Sequence, residues 1–336
     1  MKSKFISSQR LTWIMLLLPF GLLLFSLGLG PYPLSPSDVI KTLLSPFISA
    51  INVPEAFSVI IFRIRLPRLC LAFLVGAALS VSGASLQALF KNPLINEYIL
   101  GLSSGAAFGA ALSLVFLGQN FPPQLAAFIL AVVAVGGVLL IAGHSETHLI
   151  TLILTGVIMT AFFSALLSLV EYFASPYALQ SLFFWLMGNL SLATWKDIIL
   201  AGPLMTFGII VLLLLRWRLN VLSLSDDQVK ALGINLRLEK ILVILAATLA
   251  TAAATSVVGI IGWVGLIVPH LVRMMVGPDN RLVIPLSATV GASFLILADD
   301  LTRNLASFEI PIGILTSLIG IPLFIVLLKK TQRVWL

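Results

Sequence analysis

The chain has 336 residues, of which 60% are hydrophobic and 10% are charged, and its mean hydropathy is +1.12. Charged residues make up roughly 25% of a typical soluble domain, so this composition excludes a soluble globular protein and predicts a polytopic, all-α membrane protein. Its apolar runs are too long for the alternating strands of an outer-membrane barrel, and the net charge of +7 is attributed to basic loops facing anionic lipid rather than to nucleic acid.

The N-terminal region carries Lys2, Lys4 and Arg10 before an apolar run from Leu11 to Gly30. A cleaved signal peptide is the alternative interpretation. Because the run is longer than a signal-peptide core and no small-residue cleavage pattern follows it, we predict that it is the first membrane span.

Apolar runs along the chain predict about ten spans within a single transmembrane domain, 1–336. They lie near 11–30, 66–90, 98–118, 122–143, 149–173, 196–215, 240–262, 263–276, 283–303 and 310–328. The eighth span is short, and Gly259, Gly262, Gly265 and Pro269 interrupt the region of the seventh and eighth. Broken spans are tolerated where protein or a cavity covers the backbone. The second span is rich in Gly, Ala and Ser, which predicts a helix buried among other helices.

Basic residues set the orientation of these spans. With a cytoplasmic N-terminus, fourteen of the 20 Lys and Arg residues fall on the inner side and six fall outside, as the positive-inside rule favours. Both termini are then cytoplasmic, and the outer segments are about 31–65 and 174–195. The second of these is amphipathic and predicts an interfacial helix held by Trp185 and Trp195. Several outer basic residues cluster just before span 2 and at the end of span 9, where they need another explanation.

The inner loop, about 216–240, predicts a docking element for an energy-supplying partner. Ser225 is a helix N-cap candidate, residues 226–232 form a short helix, and Gly233 occupies the position after its end. A second short helix is expected from about Asn235. An ordinary solvated loop is the alternative. The predicted coupling residues are Asp226, Asp227, Val229, Ala231, Leu232 and Gly233.

Catalytic motifs are missing from the sequence. It contains no G-x-x-x-x-G-K-[ST] phosphate-binding loop and no nucleophile elbow. His144, His148 and His270 have no metal-ligand spacing, and the one cysteine, Cys70, lies inside a span. We therefore expect a non-catalytic subunit with no metal or cofactor of its own.

Carboxylates are also scarce in the middle of the spans, since Glu171, Asp299 and Asp300 lie near the outer ends. Ion-coupled transporters usually place carboxylates at mid-membrane. The pathway is therefore predicted to be passive and driven through a partner. An ion-coupled secondary transporter is the rival function, and a structural membrane scaffold is a weaker third.

Eight segments carry a family resemblance: RLPR (65–68), VGAALSVSGASLQALFKNPL (75–94), LGLSSGAAFG (100–109), FWLMGNL (184–190), VKALGI (229–234), GWVGLIVPHLVRMMVG (262–277), LADDLTR (297–303) and EIPIGILTSLIGIPLFIVLLKK (309–330). Together, and in this order, they resemble the FecCD-type permeases, the membrane subunits of type II ABC importers for iron–siderophore complexes, haem, cobalamin and, in some members, molybdate.

The resemblance implies ten helices per permease and a pair of permeases, identical or different, with the pore between them. It also implies two ATPase subunits that bind ATP and Mg, a periplasmic binding protein, and a bacterial inner membrane. The cargo would be a metal chelate such as an iron–siderophore, haem or cobalamin. The alternative cargo is a molybdate or tungstate oxyanion.

Arg65, Arg68 and Arg303 match the outer arginines that receive acidic residues of the binding protein. All three fall outside in the predicted topology, and the arginine fork suits bidentate pairing with a carboxylate. The alternatives are interfacial snorkelling or a local pair, since Asp299 and Arg303 are four residues apart on one helix.

The resemblance also implies a gate and a pore lining. The matching cytoplasmic-gate turn is Asn92, Pro93 and Leu94, with a contribution from His148; a plain interhelical turn and a solvated histidine are the alternatives. Span 5 should line the pore, although ordinary small-residue packing would explain its composition equally well. The predicted pore-lining residues are Thr151, Thr155, Thr160, Ser164 and Ser168.

Overall fold

The computed structural model describes residues 2–48, 51–118, 121–142, 149–306 and 308–331, and these residues contain helices and no strand. The helices are α1 (Lys2–Ser26), α2 (Pro36–Leu44), α3 (Glu55–Ser58), α4 (Leu66–Leu89), α5 (Leu102–Leu112), α6 (Pro123–Ala142), α7 (Leu149–Phe173), α8 (Pro176–Leu186), α9 (Trp195–Leu222), α10 (Asp226–Ala231), α11 (Leu236–Val258), α12 (Val264–Val276), α13 (Asn280–Asn304) and α14 (Ile312–Thr331). Two π-helical segments, Val59–Arg65 and Ser113–Leu117, adjoin α4 and α5.

Ten apolar helices correspond in order to the ten predicted spans. Six of those in the described residues are long and apolar enough to cross a membrane, and four more are shorter apolar helices. The chain is therefore a multi-pass membrane protein, as composition predicts. The interfacial helix expected in 174–195 is α8, which covers only part of that range, because Trp195 already begins α9.

The outer segment before α4 contains more helix than the sequence predicts. The helical backbone is continuous from Glu55 to Leu89, so the second span begins eleven residues before the predicted 66. Farther upstream, Ser35 caps α2, because its Oγ accepts the Asp38 N–H at 3.2 Å, and Pro36 supplies a favourable first helical residue.

The inner loop is shorter than the predicted range 216–240. α9 continues to Leu222 and α11 begins at Leu236, where the Asn235 Oδ1 accepts the Leu238 N–H at 3.1 Å. The expected separate helix from Asn235 is wrong, because that stretch is the first turn of α11. Glu239 and Lys240, whose charges indicated a loop, are buried in ion pairs to neighbouring elements.

The core is organised around α4, which packs against α9, α11, α12 and α13. In the span that contains α4, 83% of the most apolar window is buried inside the chain, against 22% for α7. Small residues make this possible: a Cβ on Gly76 would lie 2.3 Å from the Gly291 oxygen, and one on Gly83 would lie 2.0 Å from the Gly265 oxygen. The sequence-based expectation of a buried, small-residue helix is confirmed.

The break between the seventh and eighth spans is also confirmed. α11 ends at Val258 and α12 begins at Val264, and the unwound backbone finds partners elsewhere in the chain. The Asn189 N–H donates to the Val258 oxygen at 2.8 Å, and the Tyr98 hydroxyl donates to the Ile261 oxygen at 3.2 Å. These bonds provide the carbonyl groups with hydrogen-bond donors, which the hydrocarbon of a membrane does not offer.

Candidate functional site

Charged side chains gather at the two ends of α4, whose 24 residues rise about 36 Å. We use the predicted orientation to name the two groups. The outer cluster consists of Arg65, Arg68, Asp299, Asp300, Arg303 and Glu309. The inner cluster consists of Lys91, Asp226 and Lys240.

Asp299 lies at the centre of the outer cluster and its side chain has no exposed surface. The Arg68 Nε donates to the Asp299 Oδ1 at 2.8 Å, and the Arg303 Nε lies 3.2 Å from the Asp299 Oδ2. Arg303 also pairs with Asp300, which accepts a hydrogen bond from the Ser26 hydroxyl at 2.5 Å. One carboxylate thus joins α4 to α13, and its neighbour joins α13 to α1.

Glu309 completes the cluster from the segment between α13 and α14. Its Oε1 accepts the Arg68 Nη1–H at 2.8 Å, so Arg68 contacts two carboxylates at once. The Glu309 side chain is 46% exposed, whereas those of Arg68, Arg303 and Asp300 are 7%, 4% and 8% exposed. Glu309 is the member through which the cluster reaches the surface.

Arg65 is held by backbone carbonyl groups rather than by a carboxylate. It donates from Nη1 to the Leu27 oxygen at 2.6 Å and from Nη2 to the Tyr32 oxygen. Gly30, with φ +143°, leaves space for this side chain, because a Cβ there would lie 2.8 Å from the Arg65 Nη2. Arg65 therefore links the segment between α1 and α2 to the start of α4 through two hydrogen bonds.

The structure brings Arg65, Arg68 and Arg303 together, as expected of one site, but buries all three. The predicted local Asp299–Arg303 pair is present. Three arginines oppose three carboxylates, +3 against −3, so the cluster carries no net formal charge. Direct docking of an acidic partner on these arginines stays a prediction. Arg63 is exposed on the same side.

The short inner helix α10 has the caps that the sequence predicts. The Ser225 Oγ accepts the Gln228 N–H at 3.4 Å while the Gln228 side chain accepts the Ser225 N–H at 3.2 Å. Gly233 has φ +73°, as its position after the helix requires. Among the predicted coupling residues Val229 is fully buried, whereas Asp226, Asp227, Ala231, Leu232 and Gly233 are exposed. α10 is thus anchored by Val229 and presents its remaining surface outward.

Asp226 links α10 to two neighbouring elements. It lies 3.4 Å from the Lys91 Nζ, just beyond α4, and 3.3 Å from the Lys240 Nζ, in the first turns of α11. Burial alone would raise the pKa of Asp226, but the combined effects of Lys240 and Lys91 outweigh it and hold that pKa below its ordinary value. The inner cluster therefore joins the predicted coupling helix to the predicted gate turn.

The gate turn is ordered by its own side chains. The Asn92 Oδ1 accepts the Leu94 N–H at 2.9 Å, an Asx turn that leaves the Leu94 side chain 57% exposed next to Pro93. Gln87 supports the turn from α4, since its Nε2 donates to the Ile95 oxygen at 3.1 Å. His148, the fourth predicted gate residue, lies outside the described residues.

The five predicted pore residues do not form one stripe along α7. Thr155 is buried against this chain, Thr160 donates to the Gly156 oxygen at 2.8 Å, and Thr151, Ser164 and Ser168 are exposed. Thr155 and Ser164 are nine residues apart, which at about 100° per residue places them on opposite faces. Only part of the set can face a common pathway.

Sequence reasoning missed Glu97 altogether. It is 3% exposed, its carboxylate lies against Gly265 in the first turn of α12, and neither oxygen has a hydrogen-bond partner among the described residues. Its position in a polar turn just after Leu94 gave no sign of burial. Glu97 and the ion-paired Glu239 are thus two buried carboxylates that the composition argument did not include.

His270, which the sequence does not place in a metal-ligand pattern, is buried with its ring centroid 6.2 Å from that of Phe324. In the described part of the chain no group of three or more His, Cys, Asp or Glu side chains could hold a metal ion. His144 is outside that part.

Comparison with known proteins assigns the family. The model of the FecCD transport family matches residues 15–330, and the chain belongs to this family. It is 41% identical over 280 residues to the "Probable iron chelatin transport system permease protein" of Helicobacter pylori, covering 83% of this chain and 85% of that one.

Two further likenesses extend over more of the chain. The molybdate import system permease protein MolB of Haemophilus influenzae is 38% identical over 310 residues, 92% of each chain. A solved structure described as "An inward-facing conformation of a putative metal-chelate type ABC transporter" superposes with a TM-score of 0.87 at 36% identity, covering 96% of this chain and 99% of that one.

Proposed function

We propose that this chain forms the translocation pathway of an ATP-driven importer that carries a metal chelate across a bacterial inner membrane. The observation that carries the proposal is the likeness, over 96% of the chain, to a metal-chelate type ABC transporter. A local motif match could be accidental, but agreement in the order and packing of the whole helical bundle could not.

The proposed assembly contains two permeases, two ATPase subunits and an external binding protein, with both permease termini in the cytoplasm. ATP and Mg would bind to the ATPase subunits, because this sequence has no phosphate-binding loop. The chain itself would contribute a pathway and two docking surfaces, without catalysis.

The two clusters support separate roles in this assembly. The outer cluster would receive the binding protein through Arg65, Arg68 and Arg303, whose side chains are bonded to groups of α13 and of the segment after α1. At the other end, the exposed face of α10 would receive the ATPase. When the ATPase moves α10, the Asp226–Lys91 contact would transmit that movement to the gate turn at Asn92, Pro93 and Leu94.

Pore lining is proposed for Ser164 and Ser168, which lie four residues apart on one exposed face of α7. Thr151 is also exposed but lies about 140° around the helix from Ser164. α7 is also less buried than α4, which leaves a face free for a second permease or for the pathway. Thr155 would support this helix from its packed side, and Thr160, on the side of Ser164, bonds its hydroxyl to the Gly156 oxygen.

Molybdate is the second candidate cargo, because the MolB relative matches 92% of both chains. The test is uptake by cells that lack their own chelate and molybdate importers and express this chain with its ATPase and binding protein. We expect ⁵⁵Fe-loaded siderophore to accumulate and ⁹⁹Mo-molybdate to remain outside. Uptake of molybdate alone would replace the chelate assignment, and uptake of neither, with the assembled complex in the membrane, would contradict both.

A further inference from the structure

Glu309 differs from every other acid of the outer cluster in its exposure. Asp299 is enclosed between Arg68 and Arg303, and Asp300 between Arg303 and Ser26. Glu309, by contrast, is nearly half exposed and contacts Arg68 only through Nη1. Water and other anions can therefore compete for this contact, whereas the contacts of Asp299 are closed to them.

The position of Glu309 in the chain also leaves it free to move. Residues 309–311 form an irregular segment before α14, so no helix geometry fixes the side chain over Arg68. Asp299 stays bonded to the Arg68 Nε if Glu309 leaves, so the guanidinium keeps its place and one side of its fork becomes available. Phe308, beside it, is 71% exposed and offers an apolar contact at the same spot.

We propose that Glu309 is an exchangeable counter-ion of Arg68, displaced when a carboxylate of the binding protein docks. The proposal rests on the docking role given above and refines it. The cluster is neutral with Glu309 in place, and exchange of one carboxylate for another keeps it neutral. An acidic partner that approached without displacing Glu309 would bring a second negative charge to the same edge.

The exchange proposal and a merely supporting role for Glu309 predict opposite effects of Glu309→Gln on docking. If Glu309 only oriented Arg68, its neutralisation would weaken docking. If Glu309 competes with the partner, Glu309→Gln removes the competitor, leaves Arg68 held by Asp299, and tightens docking.

The experiment measures the affinity of nanodisc-embedded transporter for the purified binding protein that supports uptake in the cell assay. Glu309→Gln should lower Kd by about two- to fivefold at low salt, the range of an exposed ion pair. The gain should shrink at high salt, where exposed charges are screened. Glu55→Gln, an exposed acid on the same outer side, is the matched control and should leave Kd unchanged.

Arg68→Gln and the double variant Arg68→Gln/Glu309→Gln separate this inference from the docking proposal. Arg68→Gln should raise Kd, and adding Glu309→Gln to it should change nothing, because the effect of Glu309 passes through Arg68. Should Arg68→Gln not yield monodisperse protein, Arg68→Met, which also removes the positive charge, takes its place with the same expectations.

The outcomes are distinct. Weaker or unchanged binding by Glu309→Gln, in a background where Arg68→Gln raises Kd, overturns the exchange and leaves docking intact. An equal decrease in Kd in Glu55→Gln, or on adding Glu309→Gln to Arg68→Gln, would mean that any loss of negative charge on this side tightens binding. Either result also overturns the exchange. Wild-type affinity in Arg68→Gln contradicts the docking role and the exchange together.

Discussion

The two ends of α4 carry ion pairs of opposite character. At the outer end, Arg68 and Asp299 are 7% and 0% exposed and belong to a network that joins α1, α4 and α13. At the inner end, Lys91 and Asp226 are 35% and 48% exposed and meet at 3.4 Å. The charges are of the same kind, but one set is enclosed by protein and the other faces solvent.

The difference in burial predicts a difference in mechanical role. Removing one partner from a buried ion pair typically costs about 3–5 kcal/mol, whereas an exposed pair contributes about 0–1 kcal/mol. The outer network can therefore fix the relative positions of three helices. The exposed Lys91–Asp226 pair can break and re-form at little cost, which suits an element that must move against the gate turn.

The largest expected effect comes from Asp299→Asn. This change leaves Arg68 and Arg303 without the carboxylate between them and should destabilise the folded chain by about 3–5 kcal/mol. Lys91→Gln, the matched change in the inner cluster, should cost about 0–1 kcal/mol, because Lys91 is 35% exposed. Unfolding by SDS in mixed micelles, followed by tryptophan fluorescence, measures both. Equal losses would remove the contrast between the two ends.

A smaller effect is expected from Gly76→Val, which tests the helix packing behind the outer cluster. The added side chain would collide with the Gly291 backbone, and overpacking of this kind typically costs about 1–3 kcal/mol. Gly136→Val in α6 is the control, because no atom lies within 4 Å of a Cβ there. The same unfolding assay applies. A stable Gly76→Val variant would mean that α4 and α13 separate easily, against the picture of a rigid outer end.

A still smaller and more local effect on stability than that of Gly76→Val is expected at Gly233. Its φ of +73° is unfavourable for a β-branched residue, although no atom obstructs a Cβ, so Gly233→Val should cost about 1 kcal/mol in the turn alone. We expect normal membrane insertion and weaker coupling of ATP hydrolysis to uptake. Gly233→Asn, which accepts this backbone conformation more readily, should retain coupling. Full coupling in Gly233→Val would separate this turn from energy transfer.

The sequence predicts those features that depend on local pattern. Ser225 and Gly233 delimit α10 within a dozen residues, and apolar runs locate the ten membrane helices in order. Small residues along α4 correctly predicted close helix contacts, because two helix backbones can approach each other only where the side chains between them are small.

Features that depend on distant partners could not be predicted in the same way. Arg68 meets Asp299 and Glu309 across separations of 231 and 241 residues, so its burial and double pairing follow only from the assembled bundle. The same holds for Glu97, whose polar turn folds inward against Gly265. On α7, the pore-lining residues were predicted from their hydroxyl groups alone. Which of them are buried depends on the face of α7 that the neighbouring helices cover.

The central claim is that energy enters this pathway at the inner end through a separate ATPase, and not through an ion gradient. Uptake of ⁵⁵Fe-siderophore into proteoliposomes tests it, with the chain reconstituted alone or with its ATPase, and with the binding protein outside. The driving force is either ATP enclosed in the proteoliposomes or an imposed proton gradient. If the gradient drove uptake, the buried Glu97 would be the obvious residue to carry the proton. The account predicts uptake only with ATP and the ATPase together, unchanged in Glu97→Gln. Uptake by the chain alone, driven by the proton gradient and lost in Glu97→Gln, would contradict it.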